Sequence, residues 1–404
     1  MSAEPEAPAG EARGGGEAGT EGAGRPSSVA VFDGHNDALL GLHDGGLGIV
    51  DFVRGRPEGR GRGHVDLQRA RAGGMCGGFY AVFVPTPKAR RGGAGSSPAP
   101  GDPGASAATP QRVMTSPGEA AYEMPLSAPI EPDLARREAE AMVRLWEGLV
   151  AWRDERGEAP FRAVLGAEDL DAALAEGRHA MLLHFEGAEP IAEDLSDLES
   201  WYRRGLRSIG PVWSRANAFG HGVPFAYPAD PDRGPGLSAA GRELVRQCET
   251  LGLVVDLAHL NAAGFWDVAR LSRRPLVVTH TAVHRLSQKP RNLLDDQIRA
   301  VADSGGVIGL NFNCADVRAD GRWLADTPLD DHLRHLEALL ELAGEQCIAL
   351  GSDFDGALMP RQLPDAASLQ VLLRRLEADL GWSRDLLEKL AWGNWRRVLG
   401  ETMG

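Results

Sequence analysis

Val29 to Asp37 reads VAVFDGHND, four apolar residues followed at once by Asp33, Gly34, His35, Asn36 and Asp37. A short apolar, β-branched run that stops on polar residues is the pattern of a strand buried on both faces, as in a parallel sheet. An open doubly wound sheet would want a Gly-rich phosphate loop directly after its first strand, and DGHND stands there instead.

Seven further runs of this kind follow: Gly78 to Val84, Ala180 to Phe185, Arg207 to Val212, Leu253 to Leu257, Pro275 to Thr279, Val307 to Asn311 and Cys347 to Gly351. Between them, segments such as Leu134 to Arg153, Ala239 to Leu251, Asp295 to Ser304 and Leu329 to Ala343 carry apolar residues at three-to-four spacing, the mark of amphipathic helices. Eightfold strand-helix alternation predicts a closed parallel (β/α)8 TIM barrel of the metal-dependent hydrolase type. The reading makes residues 29–404 the catalytic barrel domain, with extra C-terminal helices from residue 364 packed on its outside. Residues 1–28, rich in Gly, Ala, Glu and Pro, are expected to form a disordered tail. A low-complexity stretch at 88–110 reads as a surface insertion or lid.

Composition narrows the function. Hydrophobic residues are 43% and charged residues 25% of the 404, enough to bury a large core. With 43 Lys and Arg against 57 Asp and Glu the formal charge is -14, the wrong sign for nucleic acid or an anionic membrane. The four cysteines are scattered, without a CxxC pair, which argues against a disulfide framework or a thiolate zinc site. No apolar run is long enough to span a bilayer and the N-terminal stretch lacks a signal-peptide core, so the expected location is cytoplasmic.

In such a barrel, chemistry sits at the C-terminal ends of strands. His35 and Asp37, two apart on an extended chain, point to one side and suit a divalent metal, although a capped turn would use the same residues. Glu186 ends the third run (MLLHFEG), and a carboxylate there can bridge two cations; His184, on the same side of that strand, reads as a hydrogen-bonded interior histidine. The fifth and sixth runs both finish on histidine, His259 and His280. If Glu186 is shared, His35, Asp37, Glu186, His259 and His280 offer three ligands to each of two metals and leave room for a bridging water, whose pKa a metal lowers to about 7. Asp353, in LGSDFDG at the end of the eighth run, stands where it could take a proton from that water; Asp355 is placed at the mouth beside it.

Together, DGHND, VDLQRARAGGMCGGFYAVFV, HFEG, GLVVDLAHLN, VVTHTAVHRLSQKPRNLLDDQ and LGSDFDG, in order along the chain, resemble the renal (membrane) dipeptidase family of zinc peptidases. The resemblance implies a (β/α)8 barrel holding two Zn2+ ions, bridged by Glu186, that hydrolyses dipeptides with a bridging hydroxide. It implies His35, Asp37 and Glu186 on one zinc and Glu186, His259 and His280 on the other. Asp353 becomes the general base and then acid, and Arg291 the group that binds the substrate's terminal carboxylate, for which a planar guanidinium fork is suited. It also implies a homodimer, with acceptance of a D-residue at the C-terminal position left open. One departure stands out: where animal members carry a carbonyl-binding histidine after the fourth strand, this chain has Trp213, in IGPVWSRANAFGHG. His221 in the same loop offers a replacement imidazole for substrate binding, with an exposed loop histidine as its plainer reading; Trp213 either walls an apolar pocket or simply packs. Two other functions stay open: a related binuclear amidohydrolase acting on a non-dipeptide amide or lactone, and a metal-binding barrel without catalysis.

Overall fold

The computed structural model describes residues 28–56, 63–87 and 121–404. The predicted N-terminal tail falls, but for residue 28, outside them, and the predicted insertion at 88–110 wholly so.

All eight apolar runs become strands of one ring: β1 (Val31–Asn36), β2 (Met75–Phe83), β3 (His179–Glu186), β4 (Leu206–Gly210), β5 (Val254–Val255), β6 (Val277–Thr281), β7 (Val307–Leu310) and β8 (Ile348–Leu350). Each pairs in parallel with the next from β1 to β5 and from β6 to β8. Two single bridges close the circle. Asp256 pairs with Val277 between β5 and β6, and Asn36 pairs with Phe354 between β1 and the end of β8. Backbone bonds reinforce both seams, Leu257 N to Val277 O at 2.9 Å and Asp37 N to Phe354 O at 2.8 Å. The protein is thus a (β/α)8 barrel.

The helices between strands follow the predicted apolar spacing. The longest, Pro132–Ala151, begins with proline, whose missing N–H has no partner to lose in a first turn, and buries Ala135, Ala139, Met142, Val143, Trp146 and Leu149. Ala239–Leu251 is capped by the Ser238 side chain, which accepts from Gly241 N, and stops at Gly252 in the left-handed conformation. Two features had no counterpart in the sequence reading: the strand Phe161–Ala163, which runs beside the first half of β3, and an antiparallel pair between Tyr122–Glu123 and Ala226–Tyr227.

Strand alternation sorts side chains into two cores. Met181, Leu183 and Phe185 of β3 face the helices in the larger one, whereas Ala180 and Leu182 face inward with Phe32, Phe79, Val254, Val277, Val307 and Ala349. Continuing the inward parity along β3 puts His184 and Glu186 inside the barrel's C-terminal mouth.

The opposite end is sealed by the last helix, Asn394–Met403, whose Trp395, Val398 and Leu399 belong to the inner core. Here the structure corrects, for this last helix alone, the expectation that the C-terminal helices pack outside; Leu369, Leu372, Leu373 and Leu376 of the helix Leu369–Leu380 belong to the larger core. Trp395 is fully buried, donates its indole N–H to Leu350 O at 3.1 Å and lies 5.0 Å from the Phe79 ring. Gly34 makes room for it: a Cβ there would stand 2.3 Å from the indole. Among the described residues no helix is long and apolar enough to cross a membrane.

Candidate active site and metal centre

Six of the residues singled out in the sequence meet at the mouth. His35 and Asp37 leave β1, Glu186 ends β3, His259 follows β5, His280 lies in β6 and Asp353 follows β8. The Nε2 atoms of His259, His280 and His35 stand 2.9, 3.6 and 3.7 Å from one oxygen, Glu186 Oε1. His35 Nε2 also lies 3.5 Å from Asp37 Oδ2. Donor atoms of His35, Glu186 and His280 fall within 4.8 Å of one another, as do those of His35, Asp37 and Asp353, so two overlapping clusters share His35.

Backbone strain marks two of these positions. His259 and Asp353 adopt left-handed conformations, φ 66° and 61°, which cost a non-glycine residue free energy and persist where the surroundings impose them. Gly356 completes the arrangement, since a Cβ there would stand 2.1 Å from Asp37 Oδ2 and 2.3 Å from Asp353 Oδ1.

An outer layer fixes the imidazoles. The single hydrogen of the Thr279 hydroxyl goes to Asp256 Oδ2 at 2.6 Å, so the same oxygen must accept from His280 Nδ1 at 2.8 Å. His280 therefore keeps its Nε2 lone pair toward Glu186. Asp256 is held in turn by the N–H groups of Thr279 and Ala258. Ser214 Oγ meets His259 Nδ1 at 2.9 Å. Asp33 accepts from Ser352 N and Oγ at 2.7 and 2.8 Å and from Asn36 Nδ2 at 3.3 Å, which ties β1 to the segment that carries Asp353. His184 is the interior histidine it was expected to be, bonded to Ser208 Oγ at 2.9 Å beneath the site. Asp256, Asp33 and Thr279 were missed as functional residues; a polar residue interrupting an apolar strand, as in VVDLAH, was the available signal.

Burial sets the charge states. It drives His35 down to about 4, partly opposed by Asp353, and drives His259 and His280 well below the ordinary imidazole range. All three are thus neutral at pH 7, the form that ligates metal. Burial first, then Asp37 and Asp353, pushes Glu186 well up; burial and Asp37 raise Asp353 to about 6. A divalent cation would reverse that logic and favour the carboxylates.

The residues fit such a cation. Three neutral imidazoles turn their Nε2 atoms toward a shared carboxylate oxygen, and both ring nitrogens of His35 are buried with no hydrogen-bond partner.

Arg291 is buried beside this group. Its Nη1 donates to His280 O at 2.8 Å, while Nη2 is buried without a hydrogen-bond partner. Trp213 forms an aromatic wall with Phe83 and Phe225, ring centroids 4.8 and 5.6 Å away, and stands 5.9 Å from the His259 ring. The guanidinium of Arg215 lies 4.7 Å from the Trp213 ring. His221 is placed differently: its backbone bridges Ala216 and accepts from Asn261 N, and its ring is half-buried. Asp355 turns away from the cluster to pair with buried Arg56 at 3.1 Å and to accept from His64 N.

Comparison with known proteins points to a peptidase family. A family model described as Membrane dipeptidase (Peptidase family M19) matches residues 26–403. A solved metallo peptidase from Rhodobacter sphaeroides, liganded with a phosphinate mimic of the dipeptide L-Ala-D-Ala, is 39% identical; the match covers 93% of this chain and 99% of that one with a TM-score of 0.81. A second structure, of the metallo peptidase dipeptidase AC, is 38% identical over 93% and 99% of the two chains, TM-score 0.80. Among curated proteins, an uncharacterized protein in the pqqA 5' region of Klebsiella pneumoniae is 44% identical over 63% of this chain and 94% of its own length.

Proposed function

Since the chain belongs to the membrane dipeptidase family of metallopeptidases, we propose that it hydrolyses dipeptides at a binuclear zinc centre held by His35, Asp37, Glu186, His259 and His280, with Glu186 shared. The observation that carries the reading is the convergence of three imidazole Nε2 atoms on Glu186 Oε1. Zinc held there would supply a water of lowered pKa and polarise a peptide carbonyl.

The chain's own groups supply the rest. Arg291, with a buried nitrogen to spare, holds the substrate's terminal carboxylate and so orients the scissile bond. Asp353, whose pKa burial raises to about 6, takes a proton from the attacking water and returns it to the leaving amine. Trp213, Phe83 and Phe225 line the mouth with apolar surface and favour an apolar substrate side chain there. Acceptance of a D-residue at the C-terminal position belongs to the same reading, supported by the L-Ala-D-Ala mimic bound to the Rhodobacter sphaeroides relative; a homodimeric state is carried with it from the resemblance alone. His221 is not assigned a substrate contact.

The test is metal analysis of the purified protein together with hydrolysis of L,L and L,D dipeptides and of N-acyl amino acids. Two equivalents of zinc and cleavage of dipeptides are expected; cleavage of acylated substrates alone would transfer the assignment to a related amidohydrolase. Asp353→Asn should keep both metals and lose at least about a hundredfold in kcat. Wild-type turnover in that variant would remove Asp353 from its role.

A further inference from the structure

Behind Asp353 lies a buried polar chain that the reaction does not itself require. Asn311 follows β7, where a strand-ending turn residue would suffice. Its Nδ2 instead donates to Asp353 Oδ2 at 2.9 Å and to Asp316 Oδ2 at 3.2 Å. Which end of the amide faces the carboxylates is not in question, because Asn311 Oδ1 accepts from the backbone N–H of Asn313 at 2.7 Å. Both hydrogens of the amide are thus given to carboxylates.

Asp316 is anchored in turn. Asn313 Nδ2 donates to its Oδ2 at 3.2 Å, Asn292 Nδ2 to its main-chain oxygen at 2.8 Å, and Lys289 Nζ stands 3.1 Å from Oδ1. Lys289, Asp316 and Asn311 are each no more than 1% exposed. The lysine ammonium also lies 4.6 Å from the Trp323 ring and 5.6 Å from that of Tyr122. A buried ion pair is a poor source of net stability, since removing two charges from water costs about what their attraction returns. What it offers is a fixed direction.

We propose that Asn311, pinned by the Lys289–Asp316 pair, is a positioning residue that holds Asp353 Oδ2 as an acceptor and so presents Oδ1 to the reacting water. This rests on the assignment of Asp353 as the proton carrier. Asp353 sits in a left-handed backbone conformation that is itself fixed, its N–H donating to His35 O at 3.0 Å and its carbonyl accepting from the N–H groups of Gly356 and Ala357 at 3.1 Å, so the freedom left is the direction of the carboxylate, which the Asn311 amide sets. The same hub touches the neighbour of Arg291 through Asn292, which places the substrate-binding and proton-carrying groups on one rigid frame.

The experiment uses the zinc-loaded full chain and a dipeptide that the wild type cleaves. Asn311→Ala is expected to lower kcat about 10- to 100-fold while KM, zinc content and melting temperature stay within the spread of the wild type. Asn311→Asp keeps the shape but puts an oxygen where the donor stood, and is expected to lower kcat at least as far. In an Asp353→Asn background, Asn311→Ala should cause no additional loss, because it acts through Asp353. Unchanged kcat in both single variants, or losses of kcat, KM and melting temperature together, or an additive loss in the Asp353→Asn background, would overturn the proposal. Wild-type kcat in Asp353→Asn itself would instead overturn the assignment beneath it.

Discussion

Glu186 is the single side chain on which the three imidazoles converge, and it is the only one that the proposed centre uses twice. Replacing it by glutamine keeps the volume but substitutes an amide nitrogen, with no lone pair to give, for one oxygen. Glu186→Gln is therefore expected to weaken zinc binding by more than the roughly 10- to 100-fold that loss of an outer partner costs. Titration of the apoprotein with zinc, followed by calorimetry, checks this; stoichiometric zinc at wild-type affinity would deny Glu186 its shared place. At this scale the sequence was informative where a polar residue ended an apolar run, as at His35, Glu186, His259 and His280. It named no partner for Asp256, Asn311 or Ser214, because those partners are near only in space. It did not foresee the partner of Asp355, which pairs with Arg56 for reasons that no local pattern carries.

Strands and helices were legible because periodicity reports which face of an element is apolar. Periodicity does not report what covers that face, so the last helix was expected outside the barrel and instead closes its base. That closure depends on Trp395, and truncating a fully buried tryptophan in a packed interior costs about 3–5 kcal/mol. Trp395→Ala should lower the melting temperature by several degrees while leaving zinc stoichiometry unchanged, as scanning calorimetry and metal analysis would show; an unshifted melting temperature would mean that the base collapses around the gap without loss. Gly34, which faces the indole, could not have been given a reason from its own neighbours in sequence.

For the molecule as a whole, buried histidines away from the mouth predict the response to acid. His335 accepts from Val283 N at Nδ1 and meets Val317 O at Nε2, and burial lowers it to about 3. Burial likewise lowers His332 and His179 to about 4. A depressed folded-state pKa gives stability that is complete above the unfolded value near 6.5 and is lost as pH falls toward 3 to 4. Melting temperature should accordingly drop on acidification through that window. A His335→Gln variant should show a shallower drop, by about one proton's worth of slope; parallel curves for variant and wild type would remove His335 from the account.

Closure of the ring at Asn36 and Phe354 also has a consequence during synthesis. His35 and Asp37 emerge from the ribosome long before Asp353 and the tryptophan that plugs the base. Until Phe354 and Trp395 have been made, β1 has one edge without its neighbour and the inner core lies open, a combination that invites chaperone engagement and misassembly. The barrel can therefore close only once Trp395 has left the ribosome, long after its first strand did.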